Sequence, residues 1–358
     1  MKKTVLLISH MPPPYGGIAT WTKRVMEHEI PGYDIQFVNS STIGGRDPFK
    51  APKRSLKVEL KRAKNIYRNE KNILKHHKVD VVHDNIPCTL FGNLREIRTA
   101  SIANKFKVPF ILHCRCTVPN VVNTRFKRFW YKRLLKRCSG VIVLNQKSFD
   151  FVKSFKTKAN VRLIPNFVLD KEIVSCKEIN PTLNKISYVG GVVKEKGCEL
   201  ICQAASYFPE IKFELVGNIN DEILNLEKPT NVQLLGGIDP SEVKEYLSKT
   251  DVFFFLTKYF GEGFSNSLAE AMGAGLPCIA TDWAANKDML ENKGGVIIDV
   301  DNLEQLKDAI NKIKDQEVRK QMSEWNIEKV KNYYSADVVI NSYAEFYDYV
   351  KEHNRWRK

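Results

Sequence analysis

The stretch YFGEGFSNSLAEAMGAGLPCIATD, residues 259–282, decides the fold of this chain. It follows the continuous apolar run DVFFFL (residues 251–256), which is typical of a buried parallel strand. Ser265 or Asn266 can cap a helix that starts there, and the break GAGLP ends that helix before the next apolar run. The stretch therefore predicts a turn from a strand into a helix.

Two glutamates and two glycines give this turn its chemical character. Gly261 and Gly263 let the backbone approach another molecule closely, and we expect the helix to carry Glu262 and Glu270, eight positions apart. The start of a helix exposes unpaired N–H groups and the positive end of a dipole, which together favour a phosphate. Such turns also occur without a ligand, so a plain structural turn is the alternative interpretation.

Length and composition indicate a soluble two-domain protein. The chain has 358 residues, 41.1 kDa and a mean hydropathy of -0.32. It has no apolar stretch of the roughly 18 to 20 residues that span a bilayer. The first apolar run, VLLIS, is short and is followed by prolines, so we expect a first strand rather than a signal peptide, and a cytoplasmic protein.

The cysteines fit a reducing compartment. There are eight, and most lie inside apolar runs, where a thiol behaves as a small hydrophobic group. The pairs Cys114 with Cys116 and Cys198 with Cys202 lack a second ligand pair at the spacing of a zinc site, so we predict no metal.

Charge divides the chain into two unlike halves. Residues 1–168 hold 33 Lys and Arg against 10 Asp and Glu, whereas residues 169–358 hold 23 against 31. A basic half joined to an acidic half indicates that one domain faces a polyanion, either nucleic acid or an anionic membrane. No aromatic motif of the RNA-binding type is present, so we predict no nucleic-acid partner.

Two basic segments are candidates for the membrane surface. In residues 52–78, an apolar stripe suggests a helix whose stripe faces the core, with attraction to acidic lipids as the alternative. The stripe consists of Leu56, Leu60, Ala63, Tyr67 and Leu74. Residues 125–137, RFKRFWYKRLLKR, have the makeup of an interfacial helix, although a basic core helix would look similar. Its predicted membrane or acceptor contacts are Arg125, Lys127, Arg128, Trp130, Lys132 and Arg133.

Strands and helices alternate along both halves, which predicts two parallel sheets covered by helices. We expect a Rossmann-like domain over residues 1–168, a second over residues 169–335, and a C-terminal helix over residues 336–358 that returns to the first domain. Strand, Gly16-Gly17 turn and helix open the chain, but the fingerprint G-x-G-x-x-G of nicotinamide-binding proteins is absent.

Taken together, the motifs resemble a retaining glycosyltransferase of family 4, of the bacterial capsule or exopolysaccharide type. They are PYGG (14–17), YVGGVVKEKG (188–197), FELVGN (213–218), VQLLGG (232–237) and EGFSNSLAEAMGAGLPCIATD (262–282). The two glutamates of the last motif match the family's signature of two glutamates separated by seven residues. The resemblance implies the GT-B fold: an α/β architecture of two Rossmann-like domains whose parallel sheets face each other across a cleft.

The resemblance also assigns roles. Glu270 would hold the ribose hydroxyls of the donor nucleotide, Glu262 would lie close to the donor sugar, and Lys196 would neutralise the diphosphate. The first-domain glycines Gly16 and Gly17 would cover the same phosphates. The remaining predicted donor contacts are Gly190, Gly191, Glu195, Asn218, Gly237, Gly263, Phe264, Ser265, Asn266 and Ser267.

Two departures from the family pattern concern charge. Members usually have an arginine where this chain has Gly191, so one cation at the leaving group is missing. The family also often carries a histidine beside the donor sugar. Either His113 is that histidine, or Arg115 replaces it and His113 corresponds to the residue two positions earlier.

The implied activity is a metal-independent hexosyl transfer, without a cofactor, from a nucleotide diphosphate sugar, expected to be a UDP-sugar. The expected acceptor is a lipid-linked saccharide in surface polysaccharide biosynthesis, with the protein peripheral on the inner face of the plasma membrane. Two alternatives stay open: an inactive glycosyltransferase-like partner subunit, which Gly191 favours, and a nucleotide-sugar epimerase on the same fold.

Overall fold

The computed structural model describes residues 2–13, 16–41 and 55–354, and it divides the chain into two compact units. The first unit comprises Met1–Pro165 and Val339–Lys358, and the second comprises Asn166–Val338. Parts of three predicted features lie outside the described residues: Pro14 and Tyr15 of the PYGG motif, the start of the first basic segment, and the last four residues.

The first unit is built on a six-stranded parallel sheet in the order β2-β1-β3-β4-β5-β6. Its strands are β1 (Lys3–Ser9), β2 (Tyr33–Asn39), β3 (Val81–Ile86), β4 (Phe110–Cys114), β5 (Gly140–Val143) and β6 (Asn160–Leu163). Sequence patterns predict all of them except β2. Most residues of that strand are partly or fully exposed, so its sequence lacks the continuous apolar run by which a strand is recognised.

Helices cover both faces of this sheet. They are α1 (Gly17–Met26), α2 (Leu56–His76), α3 (Leu90–Lys105), α4 (Val118–Val121), α5 (Arg125–Leu135), α6 (Gln146–Ser154) and the greater part of α14 (Ala336–Glu352). Helix α14 is fixed to the sheet by an ion pair from Lys351 Nζ to Asp80 Oδ1 at 2.7 Å and by the ring of Tyr347, which contacts Tyr33. The C-terminal segment therefore completes the first unit.

The second unit has a six-stranded parallel sheet in the order β12-β11-β10-β7-β8-β9. Its strands are β7 (Lys185–Val189), β8 (Lys212–Val216), β9 (Val232–Gly236), β10 (Val252–Phe255), β11 (Cys278–Thr281) and β12 (Gly295–Ile298). Counted from its first strand, this is the doubly wound order 3-2-1-4-5-6. The direction of winding reverses between β7 and β10, so the loops that follow these two strands diverge and leave room for a ligand at the carboxyl edge.

The helices of the second unit are α7 (Cys198–Ala205), α8 (Asp221–Leu224), α9 (Val243–Ser248), α10 (Asn266–Gly273), α11 (Asn286–Leu290), α12 (Leu303–Ile313) and α13 (Gln316–Lys329). A π-helical turn, Val330–Tyr334, separates α13 from α14. Tyr333 and Tyr334 lie in this turn, before the last helix.

Seven of the eight cysteines are buried as free thiols, and Cys176 is exposed. Within the described residues, no group of three or more His, Cys, Asp or Glu side chains is arranged to hold a metal ion. No helix among these residues is long and apolar enough to cross a bilayer.

The predicted core stripe of α2 is wrong at its beginning. Leu56 and Leu60 are exposed, and the buried side chains of the helix are Ile66, Glu70 and Leu74. The apolar spacing continues over the first turns, although the sheet does not extend far enough to cover them.

Candidate functional site

The candidate site of the second unit lies where the loops after β7 and β10 meet. The backbone N–H of Lys258 donates to the carbonyl oxygen of Glu195 at 2.8 Å, which ties the two loops together. The ammonium of Lys196 forms a hydrogen-bonded ion pair with the carboxylate of Glu262. These side chains are only 18% and 15% exposed, so the pair is partly shielded from solvent. Tertiary structure thus joins two residues that are 66 positions apart.

Aromatic rings hold the Lys196 ammonium in place. Its Nζ lies 5.1 Å from the ring centroid of Phe255 and 5.4 Å from that of Tyr259, within the range of cation–π attraction. The following Gly197 has φ +78, and a Cβ there would lie 2.4 Å from the carbonyl oxygen of Leu256. Only glycine fits this position, which explains the order Lys-Gly at the start of α7.

The helix after β10 begins where the sequence predicts. Ser265 is its N-cap, and its Oγ accepts a hydrogen bond from the N–H of Leu268 at 3.2 Å. Glu270 lies on α10, but Glu262 does not: it belongs to the preceding loop, which corrects the expectation that the helix carries both glutamates. This places Glu262 beside Lys196 rather than on the helix surface.

The residues around this helix start differ in what they can offer a ligand. Phe264 and Ser265 are buried, and the ring of Phe264 packs edge-on against Tyr334 at 5.2 Å, so Phe264 can contribute only its backbone. Gly263 is buried as well, whereas Asn266 and Ser267 are partly exposed. Backbone N–H groups near a helix start, beside a lysine, are a suitable environment for a phosphate.

Sequence reasoning missed Asn166, which fixes this helix start. Its side chain is buried, and its Nδ2 donates to Asn266 Oδ1 at 2.7 Å and to the carbonyl oxygen of Phe264 at 3.4 Å. The signal was the position of this asparagine after the strand VRLIP, where a polar side chain at a carboxyl strand end is a candidate site residue.

Packing requires one glycine after β7 and one after β8. Gly190 has φ +152, and a Cβ there would lie 2.6 Å from the hydroxyl oxygen of Tyr188. Gly217, after β8, has φ +142, and a Cβ there would lie 1.7 Å from the carbonyl oxygen of Gly190. The hydroxyl of Tyr188 donates to the carbonyl oxygen of Gly191 at 3.0 Å and holds this turn. Tyr188 and Gly217 belong to the motifs YVGGVVKEKG and FELVGN but were not among the predicted site residues. The contact of Gly217 with Gly190 appears only when the two strand ends lie side by side.

The remaining predicted contacts of the second unit also lie at the carboxyl edge. Asn218 follows β8, Gly237 follows β9, and Glu195 lies in the loop after β7; all three are exposed. A Cβ on Gly237 would lie 3.1 Å from Asn218 Oδ1, so these two residues are neighbours. The structure therefore gathers every predicted second-unit residue at one edge of one sheet.

In the first unit, Gly16 is the N-cap of α1 and Gly17 is its first residue. Both are exposed, and a Cβ on either would meet no atom within 4 Å. Packing against the described residues of this unit therefore does not require glycine at either position, and their predicted contact with phosphate stays a prediction.

His113 and Arg115 belong to a buried polar chain at the end of β4. Arg115 Nη1 donates to His113 Nε2 at 3.1 Å, and His113 Nδ1 lies 3.0 Å from His83 Nε2. Because a guanidinium can only donate, His113 carries its proton on Nδ1 and donates to His83. His83 must then donate from Nδ1 to the hydroxyl of Tyr347, at 2.6 Å.

This arrangement keeps both imidazoles neutral. Burial, reinforced by the charge of Arg115, lowers the pKa of His83 to about 3 and holds the pKa of His113 well below its usual range. Burial also lowers the pKa of Arg115 to about 10, so this guanidinium stays charged at neutral pH, 4.7 Å from the ring centroid of Trp21. Arg115 thus lies just past the strand end as a fixed cation, whereas His113 is enclosed within β4.

Helix α5 has both buried and exposed large apolar side chains, and its contact with a membrane stays a prediction. Tyr131, Leu134 and Leu135 are buried, as in a core helix. Phe126 and Phe129 are exposed and contact the ring of Trp130, as in an interfacial helix. The predicted membrane cations Arg125, Arg128, Lys132 and Arg133 are exposed, and Lys127 is partly exposed.

Comparison with known proteins relates most of the second unit to a protein family. Residues 170–329 match the family model "Glycosyl transferases group 1". The chain is also 26% identical, over 226 residues, to N-acetylgalactosamine-N,N'-diacetylbacillosaminyl-diphospho-undecaprenol 4-alpha-N-acetylgalactosaminyltransferase of Campylobacter jejuni. That match covers 60% of this chain and 59% of the relative, so the chain spans about three fifths of the length of the relative it matches.

Solved structures show the fold. Sucrose-phosphate synthase from Thermosynechococcus elongatus superposes with a TM-score of 0.77 at 16% identity, covering 98% of this chain and all of that one. Anabaena HepE in complex with UDP gives a TM-score of 0.70 at 14% identity over 97% of this chain and all of HepE. The lipopolysaccharide outer core galactosyltransferase WaaB, in its apo form, gives 0.71 at 14% over 96% of this chain and 99% of WaaB. The fold is therefore the GT-B fold of glycosyltransferases.

Proposed function

We propose that this protein is a retaining glycosyltransferase of family 4. It transfers a hexosyl group from a UDP-sugar to a lipid-linked saccharide in the biosynthesis of a surface polysaccharide such as a capsule or exopolysaccharide. The observation that carries the proposal is the meeting of Lys196, Glu262 and the start of α10 at the point where the second sheet reverses its winding.

Each part of this group has a task in donor binding. The N–H groups around the start of α10 and the ammonium of Lys196 stabilise the diphosphate, and Glu270 on α10 accepts hydrogen bonds from the ribose hydroxyls. Glu262 lies against the ammonium of Lys196, so one ion pair connects the sugar side of the site with the phosphate side. When the donor binds, the ammonium of Lys196 interacts with the phosphate oxygens as well as with Glu262.

The choice of substrates is supported by the relatives. HepE was solved with UDP, with UDP and glucose, and with UDP-glucose, which supports a UDP-linked donor. The name of the Campylobacter jejuni relative describes a diphospho-undecaprenol acceptor, which supports a saccharide on a lipid diphosphate as acceptor here.

The proposed reaction exchanges one bond at the anomeric carbon with retention. The bond from this carbon to the phosphate oxygen breaks, and a bond to the acceptor hydroxyl forms on the same face of the sugar. The acceptor proton passes to the departing phosphate, so the protein supplies no nucleophile. Lys196 and the helix N–H groups stabilise the charge on the leaving diphosphate, and we propose that no metal ion is needed for this step.

The proposal places the protein in the cytoplasm, peripheral on the inner face of the plasma membrane. Phe126 and Phe129 stand exposed among the cations of α5, which is the composition of a helix that lies at a lipid interface. The acceptor would be taken from that surface by the basic first unit.

The assignment is tested by replacing Glu270 with alanine. Loss of the ribose contact should weaken UDP-sugar binding, measured by calorimetry, by about tenfold or more, because a hydrogen bond to a charged group contributes ~1.5–3 kcal/mol. The matched control is Glu304→Ala, on the exposed surface of α12, which should bind as the wild type does.

The outcomes separate the candidate functions. Full donor binding and transfer by Glu270→Ala would contradict the nucleotide site. A wild-type protein that binds no nucleotide sugar would instead indicate the inactive partner subunit that Gly191 favours. Conversion of the UDP-sugar to its epimer with no acceptor present would indicate an epimerase.

A further inference from the structure

Large apolar side chains are exposed at the starts of two helices in the first unit, in addition to those of α5. They are Leu56 (66% exposed), Val58 (50%) and Leu60 (69%) on α2, and Phe91 (58%) on α3. We call these four side chains the helix-start surface. The surface is a correction to the sequence pattern, which assigns Leu56 and Leu60 to the core.

The exposure follows from the length of α2. The helix has 21 residues, about 32 Å, whereas β3, to which it leads, has six residues, about 20 Å. Arg62 shows where the sheet ends: its Nε donates to the carbonyl oxygen of Ser40 at 2.6 Å, and its Nη2 donates to His10 Nε2 at 2.8 Å. Ser40 directly follows β2 and His10 directly follows β1, so residues 56–61 project past the sheet.

Neighbouring helices bring the exposed groups to one edge. Helix α2 packs against α3, and α3 packs against α5. In a parallel sheet, the helices after successive strands begin at the same carboxyl edge, so Phe91 in the first turn of α3 lies at the edge past which α2 projects. Phe126 in the first turn of α5 follows on the same edge. Exposed apolar groups gathered in this way mark an interaction surface.

The charge around this surface is positive. Helix α2 carries seven Lys and Arg and only two acids; one acid, Glu70, is buried, and the other, Glu59, pairs with Arg62 at 3.3 Å. Helix α5 carries five Lys and Arg and no acid. A second copy of this chain would bring like charges together, and a nucleic acid would not need aliphatic side chains.

We infer that the helix-start surface docks on an anionic lipid bilayer, with Leu56, Val58, Leu60 and Phe91 entering the boundary between headgroups and acyl chains. The lysines and arginines of α2 then lie at the level of the lipid phosphates. This deepens the proposed function and rests on it in one respect, namely that a lipid-linked acceptor is taken from a bilayer. The helix-start surface gives the first unit a second membrane contact besides α5.

The experiment is flotation of the full chain with phosphatidylcholine vesicles, with and without phosphatidylglycerol. The two ends of α3 provide a matched pair, since Phe91 lies in its first turn and Phe106, 41% exposed, is its C-cap. We expect Phe91→Ser and the triple change Leu56→Ser, Val58→Ser, Leu60→Ser to lower partitioning onto the anionic vesicles, the triple change by about tenfold or more. Phe106→Ser should partition as the wild type does, and high salt should release all the proteins.

Equal partitioning of the wild type, Phe91→Ser and the triple variant would overturn the inference. So would equal binding to vesicles without phosphatidylglycerol, or a dimer in sedimentation velocity that the triple change dissociates. Calorimetry with UDP on the same proteins separates this inference from the proposed function. If UDP fails to bind while flotation follows the expected order, the membrane surface stands and the donor site is wrong. If UDP binds while flotation does not differ between the wild type and the variants, only the membrane surface is rejected.

Discussion

Asn166 makes it possible to distinguish an effect on the donor site from an effect on the stability of the protein. Its carboxamide holds Asn266 and the carbonyl of Phe264 at the start of α10. Asn326 has the same chemistry elsewhere in the second unit: it is buried, and its Nδ2 donates to the carbonyl oxygens of Leu276 and Gly294 at 2.8 and 2.7 Å. The two asparagines therefore form a natural comparison.

We predict that Asn166→Ala weakens UDP-sugar binding by about 3- to 10-fold, since the shorter of its two hydrogen bonds, the one to Asn266, contributes ~0.5–1.5 kcal/mol and no longer fixes the phosphate-binding backbone. Asn326→Ala should lower the Tm of the protein without changing donor affinity at temperatures well below Tm. Calorimetry and thermal unfolding of both variants test this. A parallel loss of affinity in both, or in neither, would show that Asn166 does not position the site.

At the scale of elements, most of the fold follows from the sequence, and the errors have physical causes. The predicted strands of both units are confirmed. They could be predicted because each is a short apolar run bounded by turn residues. The edge strand β2 does not show this pattern because most of its residues are partly or fully exposed. The beginning of α2 shows the opposite error: helical periodicity continues past the sheet that would bury it.

The packing of α2 and α3 on β3 encloses an acidic cluster that no sequence pattern indicated. Glu70, Asp84 and Glu96 are fully buried, and Arg95 forms an ion pair with Glu96. Neither oxygen of Glu70 has a hydrogen-bond partner. Burial, with a smaller contribution from Glu96, raises the pKa of Glu70 to about 9, and burial also raises the pKa of Asp84 well above its usual range.

Glu70 should therefore make the first unit less stable as pH rises. The folded state holds a proton on Glu70 up to about pH 9, whereas the unfolded state releases it near pH 4.5, so the free energy of unfolding falls between these values. Tyr67 and Lys71 flank the group, and burial raises the pKa of Tyr67 to about 12, outside this window. We predict that Glu70→Gln increases stability, and that the gain over wild type grows from pH 5 to pH 9.

Urea unfolding at a series of pH values measures this gain, with the exposed Glu304→Gln as control. The largest slope that one such group can give is about 1.4 kcal/mol per pH unit. A gain that is the same at every pH, or a loss at pH 9, would contradict the assignment of a buried proton to Glu70.

At the scale of the whole molecule, the chain leaves the first unit after Pro165 and returns to it at Val339. The returning helix α14 supplies Tyr347 to His83 and Lys351 to Asp80, and Tyr343 to the ring of Trp21. The first unit is thus completed by residues far from it in sequence.

Deletion of residues 339–358 should destabilise the first unit and leave the second unit folded. The loss exposes Trp21 and leaves the buried His83 without the hydroxyl that accepts its proton, which costs about 1–3 kcal/mol for that group alone. Hydrogen exchange should rise in β1 and β3 and stay unchanged in β7 and β10. Uniform protection in both sheets, or uniform loss, would contradict this division of the chain.

The sequence by itself determined most of the elements, the start of α10 and most of the residues at strand ends, because these depend on apolar spacing, glycine positions and capping side chains that are local. Only the tertiary structure decided which of these residues meet. The pairing of Lys196 with Glu262, the hydrogen bond from Asn166 to the start of α10, and the hydrogen-bonded chain from Arg115 to Tyr347 all join residues distant in sequence. Such contacts depend on the order of strands in a sheet, and no local sequence pattern specifies that order.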